Sequence, residues 1–189
     1  MKYSCVIIGP SDKAKLWRFG KIKKSNYKKW QRSLIEVLTQ YFDELYFIPD
    51  KGVYVDFCQT FKNVTGKKII AFVPQLEGEI VQKARQLANK VKQIPGGMGW
   101  SYLNTHIIGQ AKFALCLGYS PGSILEICSI KYLNQYQKKN IRLLIDQRCV
   151  SQKLPKELID EIKDIFYFSN SNQLRKILDG FFKKRKGIG

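Results

Sequence analysis

The stretch Ala114-Leu-Cys-Leu-Gly118-Tyr-Ser-Pro-Gly122-Ser123-Ile-Leu-Glu126-Ile constrains the fold more than any other. An apolar run of strand length ends at a glycine, turns through Tyr119-Ser120, and opens a helix at Pro121. Strand, tight turn and helix form the half-unit of an open α/β sheet, whose ligands sit at the carboxyl ends of the strands. Ser120 suits the N-cap, and Pro121 suits the first helical position because its missing N–H has no helical partner there. The amides of Gly122 and Ser123 are then expected to point out of the positive end of the helix, as a cradle for phosphate. Glu126 lies four residues after Gly122 and three after Ser123, on the same helix face. It is the only carboxylate between Ile80 and Ile145. A lone acid beside a phosphate cradle can accept hydrogen bonds from ribose hydroxyls, or act as acid, base or nucleophile at an anomeric carbon. Pairing with a lysine or a loop amide is the structural alternative.

The rest of the chain alternates strand and helix. Strands are expected at Lys2–Ile8, Leu45–Ile48, Lys68–Pro74, Lys112–Leu117 and Ile141–Ile145. Helices are expected over Tyr27–Phe42, the segment after Val53, Gly78–Lys92, Tyr102–Gln110, Pro121–Tyr136, Leu158–Ile165 and Gln173–Phe182. Val53-Tyr-Val-Asp-Phe alternates like a strand. A helix is preferred there because Val53, Phe57, Phe61 and Val64 keep a helical period, and parallel neighbours need a crossover. The pattern predicts an α/β Rossmann-like three-layer sandwich with a mostly parallel sheet of about five strands. One domain is expected over residues 1–182, followed by a basic tail at 183–189. Gly9-Pro10-Ser11 ends the first strand at the same sheet edge as the central turn. The glycine loop Ile94–Trp100 fits a ligand contact or a simple chain reversal equally.

With 44% hydrophobic residues the chain is globular, and its apolar runs fall short of the roughly 20 residues of a membrane helix. The start of the chain enters a strand directly, so no signal peptide and no membrane partner are expected. Cys5, Cys58, Cys116, Cys128 and Cys149 are scattered without a CxxC pair and read as small hydrophobes in a reducing cytoplasm. The single histidine argues against a zinc site, and neither metal nor cofactor is expected. That residue, His106, suits either a ligand-side group or a helix flank. The net charge of +18 attracts polyanions without specificity, but Lys outnumbers Arg and a lysine-coated surface explains it as well.

Lys112-Phe-Ala-Leu-Cys-Leu-Gly-Tyr-Ser-Pro-Gly122-Ser123-Ile-Leu-Glu126 resembles the strand–turn–helix of the LOG-like, or SLOG, Rossmann superfamily. That group includes the cytokinin-activating phosphoribohydrolases once labelled lysine decarboxylases, and the molybdenum-cofactor carriers. Gly122-Ser123-Ile124-Leu125-Glu126 is similar to their Gly-Thr-x-x-Glu, with Ser in place of Thr. Ile8-Gly9-Pro10-Ser11 is similar to their first phosphate-side loop, and Ile69–Pro74 to their third strand. The likeness covers roughly residues 1 to 146. A weaker similarity, to nucleoside deoxyribosyltransferases, implies a glutamate nucleophile at Glu126. Two places depart from the phosphoribohydrolases: Gly118-Tyr119-Ser120 stands where they have Pro-Gly-Gly, and Asn104-Thr105-His106 where they have Arg-Lys.

The resemblance implies a nucleotide or nucleoside-phosphate ligand on Gly9, Pro10, Ser11, Gly118, Tyr119, Ser120, Gly122, Ser123 and Asn104, with Glu126 as the catalytic residue for cleavage or transfer of an N-glycosidic bond. It also implies a homodimer. Binding without turnover, as in a sensor, fits the same residues. The alternative is a nucleic-acid-binding protein, on the interleaving of Trp17, Phe19, Tyr27 and Trp30 with the cations of Lys13–Arg32 and on the basic tail.

Overall fold

A computed structural model describes residues 3–74, 78–94 and 99–182. The basic tail and most of the glycine loop, at 95–98, lie outside the described residues, as do Met1 and Lys2. The strands are β1 (Ser4–Ile8), β2 (Glu44–Phe47), β3 (Lys68–Val73), β4 (Lys90–Gln93), β5 (Phe113–Cys116), β6 (Arg142–Asp146) and β7 (Ile165–Phe168). The helices are α1 (Ala14–Phe19), α2 (Tyr27–Leu38), α3 (Val53–Thr65), α4 (Glu79–Leu87), α5 (Trp100–Ile108), α6 (Pro121–Gln137), α7 (Lys156–Ile162) and α8 (Ser171–Phe182).

The strands form one sheet in the order β4-β3-β2-β1-β5-β6-β7, with every pair parallel. The chain moves outward from β1 to β4, returns through α5 to β5 beside β1, and moves outward again to β7. Strand order therefore reverses between β1 and β5, and the crevice of an open α/β sheet lies above that point. Parallel neighbours in such a sheet are joined by crossovers that are right-handed as a rule, which puts helices on both faces. The central strands are accordingly buried on both sides, which is why they read as unbroken apolar runs. Phe42, Phe47, Phe57, Phe61, Phe72 and Phe168 fill the layers between sheet and helices.

The sheet has seven strands rather than about five. The expected helix over Gly78–Lys92 stops at Leu87, and β4 follows it. Asn89 ends the helix: its amide donates to the Ile69 carbonyl at 2.9 Å and its Oδ1 accepts from the Ile69 amide at 3.0 Å. These are long-range bonds, invisible to local periodicity. β4 is an edge strand guarded by Lys90 and Lys92, which protects an open edge from pairing. At the other edge, β7 is four residues long and half-buried, too short to break the helical pattern ending at Ile165. The segment after Val53 is helical, and Gly66 closes it at φ +67°.

The basic stretch after Lys13 also changes character. It forms α1 and docks, with Leu16 fully buried and the Lys21 amide donating to the Arg148 carbonyl at 2.7 Å. Trp30 is buried, Tyr27 stacks on it at 5.5 Å, and Trp17 meets Tyr27 edge-on at 5.1 Å. Three of the four aromatics expected to stack on nucleic-acid bases are thus spent on packing, and only Phe19 is left half-exposed. Burial of these rings beats exposure because each removes a large apolar area from water.

Candidate functional site

The turn between β5 and α6 has the expected local form, with a difference at the helix tip. The Ser120 hydroxyl accepts from the Ser123 amide at 3.1 Å, and the Ser123 hydroxyl accepts from the Ser120 amide at 2.7 Å. This reciprocal pair is a capping box with Ser in the place usually held by Glu or Gln. The Ser123 hydroxyl also lies 3.2 Å from the Gly118 carbonyl. The Ser123 amide is therefore occupied by the protein, contrary to the expectation of two free amides. Pro121 has no N–H, so at this end Gly122 supplies an amide that has no partner among the described residues.

Beyond the tip lies a cleft of about 210 Å³. It gathers Gly9, Ser11, Asn104, Ser120, Gly122, Ser123 and Glu126 from the end of β1, from α5 and from the start of α6. Pro10, Gly118 and Tyr119 do not face it; they line a smaller neighbouring cavity. Local reasoning could not tell the two sides apart, because successive residues of an extended loop point in opposite directions.

Glu126 is 6% exposed, yet its side chain helps to line the cleft. No cation and no hydrogen-bond donor meets its carboxyl among the described residues. Burial alone pushes this carboxyl well above the usual carboxylate range. The structural alternative, a lysine partner or a loop amide, is not found among the described residues. A carboxyl held neutral donates a hydrogen bond or a proton, whereas a nucleophile must first give its proton up.

The structure adds residues that the sequence reading passed over. Lys15 on α1 reaches the cleft, and its ammonium makes no ion pair among the described residues. Asp50, in the loop after β2, brings a second carboxyl. Tyr54 on α3 stands close enough to Asp50 and Glu126 that, after burial, their charges raise its phenol further above the ordinary range. Trp100, at the start of α5, stands half-exposed at the rim. Ile8 and Ile48 form the apolar floor. The free cation on a short basic helix and the aromatic beside a glycine loop were the available signals.

Gly52 locks the first loop in place. It adopts φ +104°, and a Cβ there would lie 2.4 Å from the Pro10 carbonyl oxygen and 2.5 Å from the Ser11 Cα. The Val53 amide then donates to the same Pro10 oxygen at 3.2 Å. Asp146, at the end of β6, is fully buried and fully engaged. It accepts from Trp30 Nε1 at 2.8 Å, and from the amide, Nε and Nη2 of Arg148 at 3.0, 2.9 and 2.7 Å. This acid is structural. His106 lies on α5 outside the cleft, its ring 5.5 Å from Tyr102 and its Nε2 3.2 Å from Gln110 Nε2. Among the described residues no group of His, Cys, Asp and Glu is placed to hold a metal ion.

No protein-family model matches the sequence, and no curated protein does. Solved structures do match. The molybdenum cofactor carrier protein MCP of Chlamydomonas reinhardtii is 11% identical and superposes with a TM-score of 0.63, over 97% of this chain and 99% of that one. The molybdenum cofactor binding protein of the phototrophic bacterium Rippkaea orientalis is 14% identical, with a TM-score of 0.62 over 96% and 98%. DNA processing protein A of Helicobacter pylori, which binds single-stranded DNA, is 13% identical, with a TM-score of 0.56 over 96% of this chain and 81% of its own. At such identities the likeness concerns architecture alone: the chain has the Rossmann-like α/β fold of these structures.

Proposed function

We propose that the protein binds a nucleotide or nucleotide-derived ligand in the cleft at the carboxyl edge of the sheet. The phosphate rests on the Gly122 amide, with Lys15 and Ser11 beside it. The sugar lies against Glu126, and the base extends toward Asn104 and Trp100. The observation that carries this reading is Glu126 itself: a buried carboxyl, unpartnered among the described residues, opening into a cleft at a helix N-terminus. A protein keeps such a group at a cost in stability, so a ligand is its natural partner.

The reaction this arrangement suits is cleavage or transfer of an N-glycosidic bond. A neutral Glu126 gives its proton to the departing base as the C–N bond breaks, water or an acceptor hydroxyl or ring nitrogen adds to the anomeric carbon, and its proton returns to the Glu126 carboxylate, while phosphate-side groups hold the sugar in place. The test is binding and hydrolysis of nucleoside monophosphates by the wild type and by Glu126→Gln. Loss of hydrolysis with binding retained supports the acid role. Equal behaviour of the two proteins removes Glu126 from the mechanism.

A homodimer belongs to this reading. Leu125, Tyr132 and Tyr136 form one outward stripe on α6, with the two tyrosines 58% and 71% exposed and their rings stacked at 6.3 Å. Exposed aromatics in a row on a helix beside the site suit contact with a second copy.

The second reading, nucleic-acid binding, keeps the +18 charge and a similar architecture in a DNA-binding protein as its support. It loses the aromatic platform. Weak binding that falls steeply with salt and ignores sequence marks the general charge alone.

A further inference from the structure

The β1 loop and the β5 turn run side by side as a thin wall. Gly118 adopts φ +128°, and a Cβ there would lie 2.9 Å from Pro10 Cδ, so only a glycine lets the two segments touch. Gly9, Ser11 and Ser120 face one side of this wall and line the cleft with Glu126. Pro10, Gly118 and Tyr119 face the other side. There, with Phe19, Val150 and Ser151, they enclose a second cavity of about 170 Å³. The second cavity is mostly apolar and is comparable in size to the first. Lys15 lines both, and no acid neutralises it among the described residues. A free cation therefore stands over the wall between two hollows, at the point where strand order reverses.

We propose that the two cavities take a single elongated ligand of the dinucleotide class, two ring-bearing ends joined through a diphosphate. The bridge crosses the wall beneath Lys15, with its first phosphate at the Gly122 amide. One nucleoside occupies the Glu126 cleft. The other ring lies against Phe19, Tyr119 and Val150. A mononucleotide fills only the first hollow and leaves the apolar one to water. Joining two subsites makes the second contact intramolecular, which raises affinity without a new kind of interaction. The inference rests on the nucleotide reading of the Glu126 cleft.

The experiment is calorimetric titration with AMP and with diadenosine diphosphate. The wild type is expected to bind the dinucleotide at least about tenfold more tightly than AMP. Ser151→Trp, at an exposed position, fills the second cavity and is expected to bring the affinity ratio near one. Phe19→Ala, also exposed, is expected to lower the ratio in the same direction. AMP binding with no advantage for the dinucleotide overturns the two-cavity ligand and leaves the nucleotide reading standing. A dinucleotide advantage that survives Ser151→Trp overturns it as well. Binding of neither compound overturns both.

Discussion

Glu126 and Asp146 are both buried acids, and the difference between them separates site from scaffold. Asp146 meets the Trp30 indole N–H and three Arg148 donors, which compensate its desolvation. Removing it strands a buried indole N–H and a partly buried guanidinium. Asp146→Ala is therefore expected to cost about 3 kcal/mol in urea unfolding. Glu126 has no such compensation among the described residues, and its carboxyl is raised by burial. In the unfolded chain it ionises in the ordinary carboxylate range, whereas in the folded protein it holds its proton to higher pH. Between those two values the folded state binds more protons than the unfolded state, so this group makes stability fall as pH rises. Below the ordinary range both states are protonated and the penalty vanishes. Glu126→Gln is thus expected to stabilise the free protein by about 0.5–2 kcal/mol near pH 7, as substitutions at strained functional sites commonly do. Unfolding curves at pH 7 and at pH 4 check this, because the gain should be lost at pH 4. The cysteines follow the same burial rule. The Cys116 thiol is pushed up to about 12 and those of Cys5, Cys58 and Cys149 are raised too, so the native protein should react with a thiol reagent chiefly at half-buried Cys128.

Among elements, α6 carries the site, and its first turn is set by its own residues. Ser120, Pro121 and Ser123 start the helix whatever surrounds them. The loop facing it depends on distant residues. Gly52 lets the start of α3 press against Pro10 and Ser11, and nothing near Gly9 in sequence specifies that contact. Gly52→Ala combines a strained φ with a Cβ inside a backbone. It is expected to destabilise the protein by roughly 1–3 kcal/mol and to weaken nucleotide binding by displacing Ser11. Thermal unfolding and calorimetric titration of the same variant check both effects. Gly66→Ala is the control, since open space surrounds that glycine although it shares a positive φ.

For the whole molecule, charge and shape make separate statements. The +18 charge spreads over a surface whose lysines mostly face water, and it predicts salt-sensitive attraction to any polyanion. The aromatic stripe on α6 is local and predicts self-association. Tyr132→Glu together with Tyr136→Glu is expected to turn a dimer into a monomer in sedimentation experiments, with the fold unchanged because both rings are exposed. A monomeric wild type removes the dimer from the proposed function.

The linear chain determined the class of fold and the position of the central turn. Unbroken apolar runs become doubly buried parallel strands, helical periods become covering helices, and a Ser-Pro-Gly-Ser start caps itself through two serines three residues apart. Those are short-range matters of backbone conformation and burial. Only the tertiary structure decided the rest. It ended α4 through Asn89 and Ile69, twenty residues apart, and so created β4. It folded Trp30 onto Asp146, which removed the stacking platform. It brought Lys15, Asp50, Tyr54 and Trp100 to Glu126, and sent Pro10, Gly118 and Tyr119 to the other side of a wall. Each outcome depends on contacts between distant segments, where desolvation and packing outweigh local preference.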